Sequence, residues 1–262
     1  MLEDSFSDNL RQTGVVMNNE FRKYFRGKSM TIFTILLGLV LFLNIALPYI
    51  VGDGLSKDPT ELAYSFASAM LLIIIMSATL FTSGSIASEF EERTALVLFT
   101  KPLKKWSVFL GKFISACMIG FAFILIYYAI LTCVSLIVTG STSPHLPVSL
   151  GLAFACMFGS AGVAVLISSV SKKFGLAAIL TFVLMLLIMP LISSMLSLGS
   201  IDPWFMLDEG AYSVGNVFLH SGASEFLPSS TAPDVGRSAV VMLVWGAVTS
   251  IIGYLIFRRR EV

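Results

Sequence analysis

Charged side chains are concentrated in one short stretch of the chain. Only 13% of the residues are charged, yet seven of the charges lie within seventeen positions: Glu89, Glu91, Glu92, Arg93, Lys101, Lys104 and Lys105. Neighbouring glutamates could serve acid–base or metal chemistry, but a metal site would need further ligands such as histidine. His145 and His220 lie outside this stretch and outside the apolar runs. We therefore expect no catalytic residue and no metal site.

Nucleotide chemistry is not predicted either. Gly111 and Lys112 lack the upstream glycine and the following Ser or Thr of a phosphate-binding loop. The chain also has no Gly-x-Ser-x-Gly motif, and its three cysteines lie within apolar runs without metal-type spacing. We expect a protein that is not an enzyme, has no cofactor of its own and binds no nucleic acid.

Long apolar runs surround the charged stretch. The sequence is 56% hydrophobic, and the gaps between charged residues are long enough for helices of roughly 20 residues that cross a bilayer. The longest gap is divided by GSTSPHLP, which predicts a turn. The pattern predicts one transmembrane domain, 1–262, in an all-α integral membrane protein. Its six spans are residues 31–51, 62–87, 113–139, 146–170, 174–198 and 238–257.

The distribution of basic residues predicts the orientation. Under the six-span interpretation, all Lys and Arg except Lys57 and Arg237 lie on one side, which the positive-inside rule places in the cytoplasm. Both termini would then be cytoplasmic in a multi-pass protein of the cell membrane. Residues 11–28 predict an amphipathic helix on the membrane surface, with Met17, Phe21, Tyr24 and Phe25 on its apolar face. Residues 199–237 form the longest outer segment, whose aromatic residues favour partial burial.

The charged stretch itself, residues 88–106, must lie outside the bilayer. Seven charges would cost on the order of 20 kcal/mol at the bilayer centre. From Glu91 to Thr100 the residues favour a short amphipathic helix, with acidic residues near its amino end, and Pro102 ends it. We expect a cytoplasmic helix between spans 2 and 3.

At these residues the sequence resembles the ABC-2 class of ABC-transporter permeases. The resemblance rests on Glu89-x-Glu91-x-x-Thr94, apolar Leu96, Leu98 and Phe99, then Pro102, Lys104, Lys105 and Gly111-Lys112. Arg93 departs from the family, which commonly has glycine there. The basic amphipathic start, six spans, long outer segment and basic end are also similar to that family.

The resemblance implies a membrane permease subunit of an ATP-driven exporter. ATP and Mg would be bound by two separate ABC ATPase subunits, and a second permease copy would complete a homodimer or a heterodimer. Residues 88–106 would be the coupling helix. Glu89, Glu91, Arg93 and Thr94 would contact or brace the ATPase, and Pro102 and Lys104 would hold the exit of the segment.

Alternatives remain for both the function and the translocation path. The family implies that spans 1, 2 and 5 face the partner and the path, which makes candidates of Asn44, Ser65, Ser68, Thr79 and Ser193. Hydrogen bonding between helices would explain these residues almost as well. The aromatic outer segment could instead hold an extracytoplasmic protein, in a scaffold or assembly factor that transports nothing. An ion-driven carrier would need ionisable groups that the spans lack.

Overall fold

Helices are the only regular secondary structure in the residues that the computed structural model describes, which are 6–52, 54–91, 105–219 and 234–259. In chain order the helices are α1 (Phe6–Arg26), α2 (Lys28–Val51), α3 (Pro59–Ser77), α4 (Gly84–Glu91), α5 (Lys105–Thr139), α6 (Leu146–Val170), α7 (Phe174–Val183), α8 (Met189–Leu198), α9 (Leu207–Asn216) and α10 (Val235–Arg259). Two π-helical segments, π1 (Ala78–Thr82) and π2 (Leu184–Ile188), join α3 to α4 and α7 to α8.

Six helical segments are long and apolar enough to cross a membrane, so the predicted fold class is confirmed. They are Lys28–Val51, Pro59–Ser88, Lys105–Thr139, Leu146–Val170, Phe174–Leu198 and Val235–Arg259, and we number them as spans 1 to 6. The helix of span 3 begins at Lys105, within the stretch that the sequence assigned to the coupling segment. We call the end of the bundle that carries Lys28, Lys105, Lys173 and Arg258 the basic end.

Spans 4 and 6 form the closest helix pair of the bundle because glycines leave room for backbone contact. A Cβ atom added at Gly162 would lie 2.6 Å from the carbonyl oxygen of Gly246, and one at Gly159 would lie 2.9 Å from that of Met242. The small residues of span 4 therefore serve internal packing. The same face is buried within one chain, so it is not available to a second subunit.

Spans 2 and 5 are both interrupted by a π-helical turn. In span 5, π2 is followed directly by Met189 and Pro190. Proline has no backbone N–H and clashes with the preceding turn, so a wider turn before Pro190 accommodates it. In span 2, π1 contains no proline and lies about two-thirds of the way along the span, near the basic end.

The segment between spans 5 and 6 contains the short helix α9, which packs into the bundle at the end opposite the basic end. Gly210 lies against Met242 of span 6, and the carbonyl of Val214 accepts a hydrogen bond from the Ser149 hydroxyl of span 4 at 2.6 Å. The sequence predicted burial from the aromatic residues. Of these aromatic residues, Phe218 is only 1% exposed, whereas Trp204 and Phe205 are 48% and 43% exposed. Small and aliphatic residues of α9 are buried as well.

Candidate functional site

A buried ion pair joins α1 to span 3 at the basic end. The Lys112 ammonium donates a hydrogen bond to the Glu20 carboxylate at 2.5 Å, and the two side chains are only 3% and 9% exposed. Gly111 allows this approach, because a Cβ atom there would lie 2.8 Å from the Val16 side chain. Removing one member of such a pair leaves the other charged and buried. Gly111 and Lys112 therefore fix α1 against span 3.

The predicted N-terminal helix is present, and part of its apolar face packs against the bundle. α1 covers Phe6–Arg26, whereas the sequence placed it at residues 11–28 with Met17, Phe21, Tyr24 and Phe25 facing the membrane. Tyr24 is buried in the bundle, but Phe25 is 68% exposed. The buried face of α1 also includes Thr13 and Glu20. The Glu20 carboxylate can be buried because the Lys112 ammonium neutralises it.

Tyr24 also connects α1 to the π-helical turn of span 2. Its hydroxyl donates to the carbonyl oxygen of Phe81 at 3.1 Å, and the two rings meet edge to face with centroids 5.4 Å apart. Burial, and secondarily the Glu20 charge, raises the pKa of Tyr24 well above its ordinary value. The phenol therefore stays neutral and can donate this hydrogen bond at any physiological pH.

Span 4 supplies a hydrogen-bond acceptor to span 2 just beyond π1. The Ser168 hydroxyl oxygen accepts from the backbone N–H groups of Ile86 and Ala87 at 3.2 and 3.0 Å. The helix has been interrupted immediately before these residues, so their N–H groups need partners outside it. Ser168 satisfies both groups within the buried interior, and α4 is thereby held against span 4.

The end of α4 contacts the start of span 5. The Glu91 carboxylate accepts a hydrogen bond from the Phe174 backbone N–H at 2.8 Å, which caps the first turn of α7. Seven residues earlier, Gly84 lies under the Phe174 ring, so that an added Cβ atom would be 2.3 Å from the ring edge. Lys23 of α1 donates to the Ser88 hydroxyl of the same α4 at 3.3 Å. Helix α4 is thus held on three sides, by α1, span 4 and span 5.

The predicted coupling residues are only partly covered by the structure. Glu91 is the last residue of α4 and is exposed. Glu89 lies in the same helix, but its side chain is outside the described residues. Arg93, Thr94, Pro102 and Lys104 lie outside the described residues altogether. The sequence did not identify Glu20, Tyr24 or Ser168 as part of this site. Lys112 could have been recognised from the sequence, because a lysine buried beside an apolar span needs a carboxylate partner.

The five candidates for the translocation path differ in their local contacts. Asn44, Ser68 and Thr79 each donate to a carbonyl oxygen four residues earlier in their own helix. Ser65 is exposed, and Ser68 lies next to Gly215 of α9. Ser193 is buried and donates to Asp208 of α9 at 2.9 Å. Helix-to-helix hydrogen bonding therefore explains Ser193 alone. The described residues contain no group of three or more His, Cys, Asp and Glu that could hold a metal ion.

The fold defines a multi-pass membrane protein whose second span is interrupted and held at the basic end by its neighbours. The family model described as ABC-2 family transporter protein matches residues 50–255, which is most of the chain. The chain therefore belongs to the ABC-2 transporter family and is a permease, the membrane subunit that works with ABC ATPase subunits and is generally not catalytic itself. Helix α1 lies before the matched region. A search of curated proteins finds no match to this chain.

Proposed function

We propose that this permease belongs to an ATP-driven exporter of the cell membrane, with the basic end in the cytoplasm. Two ATPase subunits, which bind ATP and Mg, dock on residues 88–106. Glu89, Glu91, Arg93 and Thr94 contact or brace that surface, and Pro102 and Lys104 hold the exit. A second permease copy completes the transporter.

The observation that carries this proposal is the contact of α4 with span 5. Residues 88–91 lie at the start of the proposed coupling segment and at the end of span 2. Because Glu91 caps Phe174 and Gly84 packs under its ring, a displacement of α4 also displaces the start of span 5. Packed interfaces of this kind move as units rather than deform gradually. A push on one short helix would therefore reach two spans together.

Helix α1 supports the same mechanism. It is fixed to span 3 by the Glu20–Lys112 pair and touches span 2 through Tyr24 and Lys23. A displacement of α4 would therefore also be passed through α1 to span 3. The π-helical turn π1 accepts the Tyr24 hydrogen bond at Phe81, and π-helical turns often occur at functional sites.

The exposed apolar faces of spans 1 and 5 leave room for a second copy beside them. Ile50, Val51 and Leu198 are 77%, 75% and 86% exposed, and lipid or a second permease must cover them. A path between two copies would pass spans 1, 2 and 5, near Asn44, Ser65, Ser68, Thr79 and Ser193. Membership of the transporter family gives no support to the scaffold alternative.

A charge swap tests the coupling segment. In the double variant Glu91→Lys with Arg93→Glu, the net charge is unchanged but each charge meets the wrong partner, which costs several kcal/mol at a complementary interface. We expect the tagged permease to recover at least about tenfold less ATPase subunit from native membranes. The matched control is Lys57→Glu with Glu61→Lys, a charge swap at the opposite end, which should leave recovery unchanged.

Two results would decide against the proposal. If the Glu91/Arg93 swap retains normal ATPase recovery and normal ATP hydrolysis by the complex, residues 88–106 are not the docking segment. If the wild-type chain recovers an extracytoplasmic protein and no ATPase, the scaffold alternative is correct. Melting curves of each purified variant show whether the spans remain folded, so that a loss of recovery can be assigned to docking.

A further inference from the structure

A partly open cavity lies between α9 and three spans near the end opposite the basic end. Its volume is about 120 Å³, similar to the roughly 150 Å³ of an engineered protein cavity that binds benzene. Span 2 contributes Leu71 and Ile75, and span 5 contributes Met185 and Met189. Apolar side chains thus form most of the wall.

One carboxylate stands in this apolar wall. Asp208, the second residue of α9, lines the cavity and is only 7% exposed. Its Oδ1 atom accepts the Ser193 hydroxyl at 2.9 Å. Its Oδ2 atom is buried and has no hydrogen-bond partner within the described part of the chain. A buried acceptor without a partner costs about 1 to 3 kcal/mol, and more when it is charged.

The chemistry of the wall indicates what would satisfy Asp208. A calcium ion takes six to eight oxygen ligands, whereas this wall is made chiefly of carbon and sulfur atoms. An organic ammonium group needs only a carboxylate and a few acceptors, and its carbon chain suits Leu71, Ile75 and the two methionines. Leu186 and Tyr212 line the cavity and are 37% and 44% exposed, so a ligand can enter between them from the bilayer side.

We propose that this cavity binds the ammonium head of an amphiphilic amine, with Asp208 as the counter-ion and the alkyl chain leaving past Leu186. The proposal does not depend on what powers the permease, because binding needs no ATPase.

Equilibrium binding tests the site directly. The full chain is placed in nanodiscs of phosphatidylcholine and titrated with tritiated dodecylamine, which is cationic at neutral pH. Binding that remains in excess unlabelled dodecylamine is subtracted as partition into lipid. We expect saturable binding to the wild type. Asp208→Asn, which keeps the shape and an acceptor for Ser193 but removes the charge, should weaken it at least about tenfold.

Two controls separate the site from general attraction to the membrane. Glu209→Gln removes a neighbouring carboxylate outside the cavity wall and should retain binding within about twofold. Uncharged 1-dodecanol should displace the labelled amine from the wild type at least about tenfold less effectively than dodecylamine does. The comparison with dodecanol uses no substitution, so it tests whether binding requires a positive charge even if Asp208→Asn fails to fold.

The proposal is overturned if the wild type shows no saturable binding, in which case water alone fills the cavity. It is also overturned if dodecanol displaces the label as well as the amine does, or if a folded Asp208→Asn binds as tightly as the wild type. None of these results bears on ATPase docking at residues 88–106, because the assay contains no ATPase and measures no transport.

Discussion

The two ends of the bundle treat their buried carboxylates in opposite ways. At the basic end, Glu20 meets Lys112, and the Tyr24 hydroxyl meets a carbonyl oxygen of π1. Each contact joins two different helices. At the opposite end, Asp208 is buried in a cavity with one oxygen that has no partner in the described chain, and Glu209 lies beside it.

This difference indicates that the two ends of one permease have different functions. Paired polar groups between helices make displacement of one helix alone costly, because it would leave a buried donor or acceptor unsatisfied. The basic end is therefore suited to transmitting movement. A buried acceptor beside an empty space is stabilised when a ligand arrives, so the opposite end is suited to binding.

The Glu20–Lys112 pair should have the largest effect on stability. We expect Glu20→Leu alone to lower the free energy of unfolding by about 3 to 5 kcal/mol, because it leaves the Lys112 ammonium buried without its carboxylate. Lys112→Met alone should lower the free energy of unfolding by a similar amount, because it leaves the Glu20 carboxylate buried without the Lys112 ammonium. Thermal unfolding of the purified chain in detergent measures both changes.

The double variant Glu20→Leu with Lys112→Met is the control for that prediction. Two apolar side chains of similar volume can replace a buried ion pair at little cost, so the double variant should be markedly more stable than either single one. If the losses in free energy of unfolding add up in the double variant, the two side chains act separately. The interpretation of the basic end as a paired site would then be wrong.

Gly84 should show the next largest effect. Gly84→Ala places a methyl group 2.3 Å from the Phe174 ring edge, and we expect a loss of about 1 to 3 kcal/mol as the ring is forced away. Gly151 of span 4 is the matched control, since nothing lies within 4 Å of a Cβ atom there. Gly151→Ala should leave the melting temperature unchanged or slightly higher.

Adding Phe174→Ala to Gly84→Ala tests whether the contact itself is responsible. Once the ring is gone, the methyl group has space, so the double variant should melt at the temperature of Phe174→Ala alone. A further drop in the double variant would place the strain at some other neighbour of Gly84. In that case, the proposed link between span 2 and span 5 would rest on Glu91 only.

The six spans could be predicted because they depend on local composition. Residues such as Met70–Met76 are apolar throughout, and any helix of that length and composition satisfies its own backbone in a bilayer. The helix that contains span 3 begins at Lys105, eight residues before the predicted start of the span at residue 113. Lys112 lies within this helix, and its partner Glu20 is almost a hundred positions away, so local composition could not reveal the pair.

The candidate site was less predictable because its parts come from distant positions. The sequence identified Glu91 from its place in a charged motif, but its contact with the Phe174 N–H depends on how spans 2 and 5 pack. The partners of π1 could not be predicted from the sequence either. Tyr24 was identified only as one aromatic residue on the apolar face of an amphipathic helix. Asp208 appeared as one of several acidic residues outside the spans, and only the fold shows that it is buried.

The smallest predicted effect concerns Glu209, and it depends on pH. Burial, followed by the charges of Asp208 and Asp202, raises the pKa of Glu209 in the folded chain. The folded state therefore holds this proton more tightly than the unfolded state, and the contribution to stability is lost as pH rises through the raised pKa. Glu209→Gln removes that loss, so it should raise the melting temperature slightly at about pH 7.5 and have no such benefit at about pH 4. A lower melting temperature at neutral pH would mean that the Glu209 charge is stabilised by a partner, and the opposite end would then resemble the basic end.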